Sequence, residues 1–319
     1  MKTKKSPLKP IVDAFNRVFT IIKKAIIKQK KTPLDIVVDV LIYAFIALIA
    51  IICIIPFIQV LAVSISGDAE VYANKVFLIP RNINLNAYKT VLGDPSMVRS
   101  LVFTVILTVV FTVLGMMVTI SSAYALSRPK LKGRHVIATI FIMTMYFSAG
   151  TIPDYLLMDN LNMLDTAAAL VLPLIFSAYN MIILRTFMQN SIPESLIEAA
   201  ELDGCDDFRI LIQVVLPLTK PVLATLALFY AVGRWNSFTD ALYYIQSDEL
   251  KPLQLKLYNL VNASGSTGAL SQEAGGGQQQ AAEVVKSATI MFATLPIVIV
   301  YPFVQKYFVS GVMIGAVKG

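Results

Sequence analysis

The chain has 319 residues, 56% of them hydrophobic and 15% charged, with a mean hydropathy of +0.70 and a formal charge of +7. A water-soluble globule has nowhere to hide so much apolar surface, so composition excludes that class and points to lipid as the solvent. Two cysteines exclude a disulfide framework, and a lone histidine, His135, excludes a multi-histidine metal centre.

A bilayer core about 30 Å thick takes roughly 20 apolar residues per helix at about 1.5 Å each. Ahead of the first such run, Ile11, Phe15, Val18, Ile22 and Ile26 follow helical spacing, with Asn16, Arg17, Thr20, Lys24 and Lys28 opposite. The pattern predicts an amphipathic basic helix, which either lies on the lipid interface or packs on the protein itself. The apolar run from near Ile36 is too long for a signal-peptide core and lacks a small-residue cleavage pattern, so it reads as a retained anchor.

Six spans are predicted, at about 40–63, 101–126, 136–158, 167–187, 222–242 and 287–308. The organisation is a basic N-terminal segment, residues 1–35, and an all-α membrane domain, residues 36–319. With both termini in the cytoplasm, 19 Lys and Arg fall inside, 7 fall outside and Arg234 lies within a span. The positive-inside rule selects that orientation, and the excess charge reads as attraction to anionic lipid rather than to nucleic acid. Two polar excursions, 64–100 and 243–286, lie on the outer side, the second with a flexible Gly and Gln tract at 275–280. Pro56, Pro153, Pro173 and Pro296 fall inside the predicted spans, as hinges or as packing kinks.

The connection at about 188–221, between the fourth and fifth spans, is too long for a structureless loop. Ser191 with Glu194 three residues on is a capping-box pattern, Pro193 suits a first turn and Gly204 suits a stop, so a short helix is expected. Glu194, Glu198 and Glu201 share one face of it, and Ile192, Leu196 and Ala199, with Ala200 beside them, share the other. A carboxylate stripe and small alanines suit docking to a basic cleft, and the same pattern serves a solvated helix lying on the membrane.

These residues carry a family resemblance. Glu198-Ala199-Ala200, Gly204 after three intervening residues, then Val214, Val215 and Leu216-Pro217 resemble the EAA loop of bacterial ATP-binding-cassette (ABC) importer permeases, with Val214 where the pattern has isoleucine. Ser64-Ile65-Ser66, Asn86-Ala87-Tyr88, Arg234-Trp235-Asn236-Ser237-Phe238, and the tail from Gln305 to Val312 and from Gly315 to Gly319 are similar to the MalG-like branch of the carbohydrate-uptake class. The longer outer excursion before the sixth span resembles permeases for oligosaccharides from complex polysaccharides.

The resemblance implies the six-span type I importer permease fold and a sugar or oligosaccharide cargo. It implies as partners a second homologous permease, two ATPase subunits that hold ATP and Mg, and an extracytoplasmic sugar-binding lipoprotein, with no cofactor on this chain. It makes Glu198, Ala199, Ala200, Asp203, Gly204, Leu216 and Pro217 the ATPase-coupling residues. No phosphate-binding Gly-Lys-Ser/Thr loop occurs in the sequence, in keeping with a chain that leaves ATP to a partner. Arg234, Trp235 and Asn236, crowded with Asp240 at membrane depth, are candidates for the sugar path; equally, Arg234 pairs with Asp240 or snorkels outward, and Trp235 belts the interface. Two other readings are a secondary transporter working without an ATPase, which wants mid-span carboxylates, and an ABC permease for a non-sugar solute. A membrane enzyme wants catalytic clusters that this sequence lacks.

Overall fold

In the computed structural model of the protein, residues 33–270 and 283–300 are described, with side chains described for 33–262 and 283–300. The predicted N-terminal amphipathic helix, the 275–280 tract and the tail strings from Gln305 to Gly319 lie outside the described residues. Two compact units divide the chain, residues 1–59 and residues 60–319. Of the first, residues 33–59 belong to one continuous helix, α1 (Pro33–Ser64), which runs through Pro56 without ending there. Leu, Ile, Val and Phe lie on every side of α1, the pattern of a helix that meets lipid rather than water.

The second unit begins at Val60, within the last turns of α1, which ends at Ser64. After α2 (Asp68–Tyr72) and an extended stretch, the chain returns as α3 (Asn86–Gly93). Ser64 Oγ and Tyr88 OH share a hydrogen bond of 2.8 Å, and the Asn84 amide donates to the Ile65 carbonyl at 2.9 Å. Two strings that stand apart in the sequence, Ser-Ile-Ser and Asn-Ala-Tyr, therefore close one turn. α3 then packs Ala87 and Val91 against Val284 and Ala288 of α12 (Glu283–Val300).

The core is built on α4 (Pro95–Ser127), capped by Asp94, whose carboxylate accepts from the Ser96 amide at 2.8 Å. Its buried positions are mostly small or hydroxylated: Ser100, Thr104, Thr108, Gly115, Thr119 and Ala123 recur every fourth residue or a multiple near it. Lipid tails are as apolar as leucine, so helices in a membrane associate through close backbone approach and shared hydrogen bonds, for which such a stripe is suited.

The third predicted span is two helices, α5 (Arg134–Tyr146) and α6 (Thr151–Asn160), bent by 113°. The break falls inside the span expected at 136–158, beside the Pro153 expected there as a hinge or a packing kink. Phe147 is extended, Gly150 takes φ of +92°, and Pro153 sits in the first turn of α6, where its missing amide hydrogen costs nothing. The fourth span is bent by 46°: 3-10 turns Ala167–Leu170 and Leu172–Leu174, with Pro173 in the second, precede α7 (Ala178–Ser191). Ser177 caps α7 by accepting from the Asn180 amide.

After α8 (Glu194–Leu202), the fifth span begins well before Pro221. A single 30-residue helix, α9 (Asp207–Asn236), contains a π turn at Leu211–Val215. Asp206 caps it, accepting from the Arg209 amide at 2.8 Å. Pro217 and Pro221, one turn apart, each withhold an amide hydrogen just beyond the π turn, so the ladder is already loosened there. α10 (Thr239–Tyr244) and α11 (Leu253–Leu270) complete the described helices before α12. Among the described residues, four helices are long and apolar enough to cross a membrane, and six if each bent pair is one span.

α4, α7 and α9 enclose one cluster of buried apolar side chains, with Met181, Leu184, Ile210, Val215 and Leu226 almost fully shielded. Farther along, Tyr230 of α9 lies against Gly115 of α4, meets Phe111 edge-on at 5.8 Å, and shares a 2.7 Å hydrogen bond with Thr119. A Cβ at position 115 would stand 2.9 Å from the Tyr230 ring. Gly115→Ala is expected to cost about 1–3 kcal/mol through overpacking. Tyr230→Phe is expected to cost about 1 kcal/mol through the lost hydrogen bond. Thermal unfolding of the detergent-solubilised protein checks both; a Gly115→Ala variant as stable as the parent contradicts the close approach.

Candidate functional site

The loop at 191–217 folds as the short helix α8 between two tight turns. Ser191 closes α7 rather than capping α8, and Pro193 occupies the cap position with no side-chain bond, so the capping box does not form. The far end is built as expected. Asp203 is the C-cap, Gly204 takes φ of +82°, its amide donates to the Glu201 carbonyl and that of Cys205 to the Ala200 carbonyl, both at 3.0 Å. That crossed pair of bonds needs a left-handed residue at Gly204, which a side chain disfavours by about 1–2 kcal/mol.

α8 attaches to the bundle through Ile192, Ile197, Ala200 and Cys205, which pack on the cluster between α4, α7 and α9. This corrects the expected apolar face, since Leu196 and Ala199 point out with Glu198 and Asp203. The side-chain carboxylates of Glu194, Glu198 and Asp203 carry no hydrogen bond or ion pair among the described residues. Leu202 and Phe208, at 89% and 69% exposure, protrude beside Gly204, and the sequence reading passed over both. Phe208 was findable: an aromatic flanked by Asp206, Asp207 and Arg209 has no evident place in a core. Leu216 and Pro217 sit farther along in α9, directly after the π turn.

Glu201 behaves differently from its two neighbours on the acidic stripe. Its carboxylate takes a bond of 2.7 Å from Arg128 Nη2 and another from Lys130 Nζ, both just after α4. The bonded Lys130 ammonium, with Arg128 beside it, holds the Glu201 carboxyl below the usual carboxylate range. A carboxyl depressed by folding contributes its stabilisation above its ordinary value and loses it only as pH falls through the lower folded value. A cavity of about 340 Å³ opens beside this cluster, between the ends of α4 and α7 and the start of α8.

The second candidate group is a buried clamp two residues from the end of α9. Arg234 is bidentate to Asp240, at 2.6 and 3.0 Å, and Nη1 also donates to the Leu170 carbonyl at 2.8 Å. Ser237 Oγ donates to Asp240 at 2.7 Å, and the guanidinium stands 5.7 Å from the Phe111 ring centre. The Arg234 side chain is 1% exposed. Trp235 is buried too, its indole N–H without a partner among the described residues. Asn236 is exposed, its amide donating to the Val232 carbonyl at 2.9 Å. The structure thus separates Asn236, accessible, from Arg234, which is occupied in holding α9, α10 and the Leu170 turn together.

Removing one partner of such a pair leaves a buried charge uncompensated. Asp240→Ala is expected to cost about 3–5 kcal/mol, and the paired change Arg234→Met with Asp240→Leu much less. Thermal unfolding in detergent separates the two; equal losses contradict the clamp. Exchange protection across residues 201–205, taken relative to the intrinsic rate at each pH, is expected to fall in Gly204→Ala and to hold in the parent between about pH 7 and about pH 5, because Glu201 remains charged.

Comparison with known proteins extends this geometry. The chain is 41% identical over 281 residues to the polygalacturonan/rhamnogalacturonan transport system permease protein YtcP of Bacillus subtilis (strain 168), covering 88% of this chain and 98% of the relative. It is 30% identical to the trehalose/maltose transport system permease protein MalG of Thermococcus litoralis, over 85% of this chain and 94% of that one. A crystal structure of a bacterial ABC transporter involved in the import of the acidic polysaccharide alginate contains a chain that superposes with a TM-score of 0.79 at 34% identity, covering 88% of this chain and 100% of that one. The model of the family described as binding-protein-dependent transport system inner membrane component matches residues 25–314. The chain therefore belongs to that family: it is a multi-pass membrane permease of the ABC importer type.

Proposed function

We propose that this permease passes acidic oligosaccharides across the bacterial cell membrane, driven by ATP hydrolysed on separate subunits that dock on α8. The observation that carries the docking is the exposed face of α8: Glu198, Ala199 and Asp203 bare, Gly204 fixing the turn, and the opposite face packed on the bundle. A helix bound on one side and open on the other receives a partner without unfolding, and its free carboxylates suit a basic cleft. Leu202 and Phe208 supply the apolar contact that charge alone lacks.

The assembly is a heterodimer with a second permease, two ATPase subunits carrying ATP and Mg, and an extracytoplasmic sugar-binding lipoprotein that delivers the cargo. Both termini are cytoplasmic, residues 1–35 form a basic segment at the membrane face, and residues 36–319 form the six-span domain. Acidic cargo is the class shared by the names of the polygalacturonan/rhamnogalacturonan relative and the alginate importer. Asn236 lines the path, and the buried Trp235 and Arg234 act from behind it by fixing the end of α9. Movement of paired coupling helices by the ATPases is converted to rocking of the bundles.

Glu198→Lys, or Gly204→Trp, is expected to abolish uptake and ATPase association while the permease still folds and inserts. Ala199→Cys is expected to crosslink to an ATPase subunit from the cytoplasmic side. Uptake of labelled oligogalacturonate, co-purification of the ATPase and side-specific thiol labelling are the measurements. Normal uptake with both variants, or labelling of position 199 from outside the cell, overturns the reading.

A further inference from the structure

α8 has two connections through the backbone, back to α7 through residues 191–193 and on to α9 through the turn at Gly204. α4 has none, yet its end is bonded to the same small helix. Arg128 follows directly on the last residue of α4 and is only 8% exposed. Its Nη2 reaches Glu201, 73 residues on in the chain, and its Nε stands 4.0 Å from Asp207, the first residue of α9. The guanidinium lies 5.9 Å from the ring centre of Tyr124, whose hydroxyl leans toward the same Asp207. Lys130 closes on the second oxygen of Glu201. One buried cation thus brackets the Gly204 turn from both sides.

We propose that Arg128 and Lys130, acting through Glu201, are positioning residues that tie α8 rigidly to α4, so that force applied to α8 reaches α4 directly. This rests on α8 being the docking helix. Delivered through the backbone alone, a push on α8 would reach α7 and α9 but not α4, and it would enter α9 just ahead of the π turn at Leu211–Val215, an irregular stretch that yields. The ion cluster bypasses that weak point. It hands the motion to a 33-residue helix that packs along both α7 and α9. Glu201 is thereby distinguished from Glu198, three residues earlier, which faces out and is free for the partner.

The test uses the complete transporter purified with its partner subunits, Cys53 and Cys205 replaced by alanine, and spin labels at Ser195→Cys on α8 and Ser121→Cys on α4. The parent is expected to give one narrow distance that does not change between nucleotide-free and ATP-vanadate states. Glu201→Gln is expected to broaden it and shift it by several ångströms in the vanadate state, and the swap Arg128→Glu with Glu201→Lys to narrow it again. A Glu201→Gln distribution as narrow and nucleotide-independent as the parent's overturns the tether, as does a parent distance that itself shifts. Loss of ATPase co-purification in Glu201→Gln without recovery in the swap also overturns it, assigning Glu201 to the partner contact. Glu198→Lys, run in parallel, isolates the docking reading: if that variant retains its ATPase, docking fails on its own account.

Discussion

The seam between α4 and α9 is fixed by polar contacts that hydrocarbon makes costly to leave unmade. Tyr230 fits its ring into the gap at Gly115 and gives its hydroxyl to Thr119, and one turn on Arg234 gathers Asp240, Ser237 and the Leu170 carbonyl into a single cluster. Apolar contact between helices distinguishes little in lipid, because acyl chains offer nearly the same environment. The directional bonds and the missing Cβ therefore set how the two helices register. α7 packs on α4 and α8 packs where all three helices meet, so both candidate groups hang from that seam.

The same helices are treated differently at their two ends. Where Arg234 sits, a guanidinium with three bonds and an aromatic beneath it locks α9 to α10 and to the 3-10 turn before α7. Where α8 sits, the first turn of α9 runs into a π turn followed by two prolines, and the ladder is loosened. One end keeps its shape and the other accommodates, which is the arrangement a lever needs at its fulcrum and at its point of attack.

The helical membrane class was legible because runs of apolar residues as long as a bilayer is thick admit few alternatives. The stop at Gly204 was legible for a similar reason: a short polar helix ending in Asp-Gly asks for the left-handed residue that φ of +82° displays. The bends were not. Pro153 and Pro173 announced a break but not its size, because whether a proline kinks a span or starts a new helix depends on neighbours such as Gly150, and on what the second piece packs against. The helical wheel of α8 misplaced its inward face by one residue, Ile197 in place of Leu196, because Ile192, which anchored the wheel, lies before the helix in extended backbone. The roles of Arg128 and Lys130 were invisible for a plainer reason. A basic loop beside a span already has an explanation in topology, and nothing in spacing says that a carboxylate some 70 residues away will claim it.

That second use of a topological charge bears on how α8 works. A loop arginine selected to stay in the cytoplasm remains hydrated and costs little where it is. Arg128 instead is shielded by Tyr124 and packed under α8, so its charge needs a partner, and Glu201 is within reach only while α8 holds its place. The burial of one cation makes the position of α8 relative to α4 energetically stiff, whereas Glu198 and Ala199 on the outer face stay free of any such demand. Stiffness on the side facing the bundle and freedom on the side facing solvent are what separate a helix that transmits a partner's motion from one that merely rests on the membrane surface.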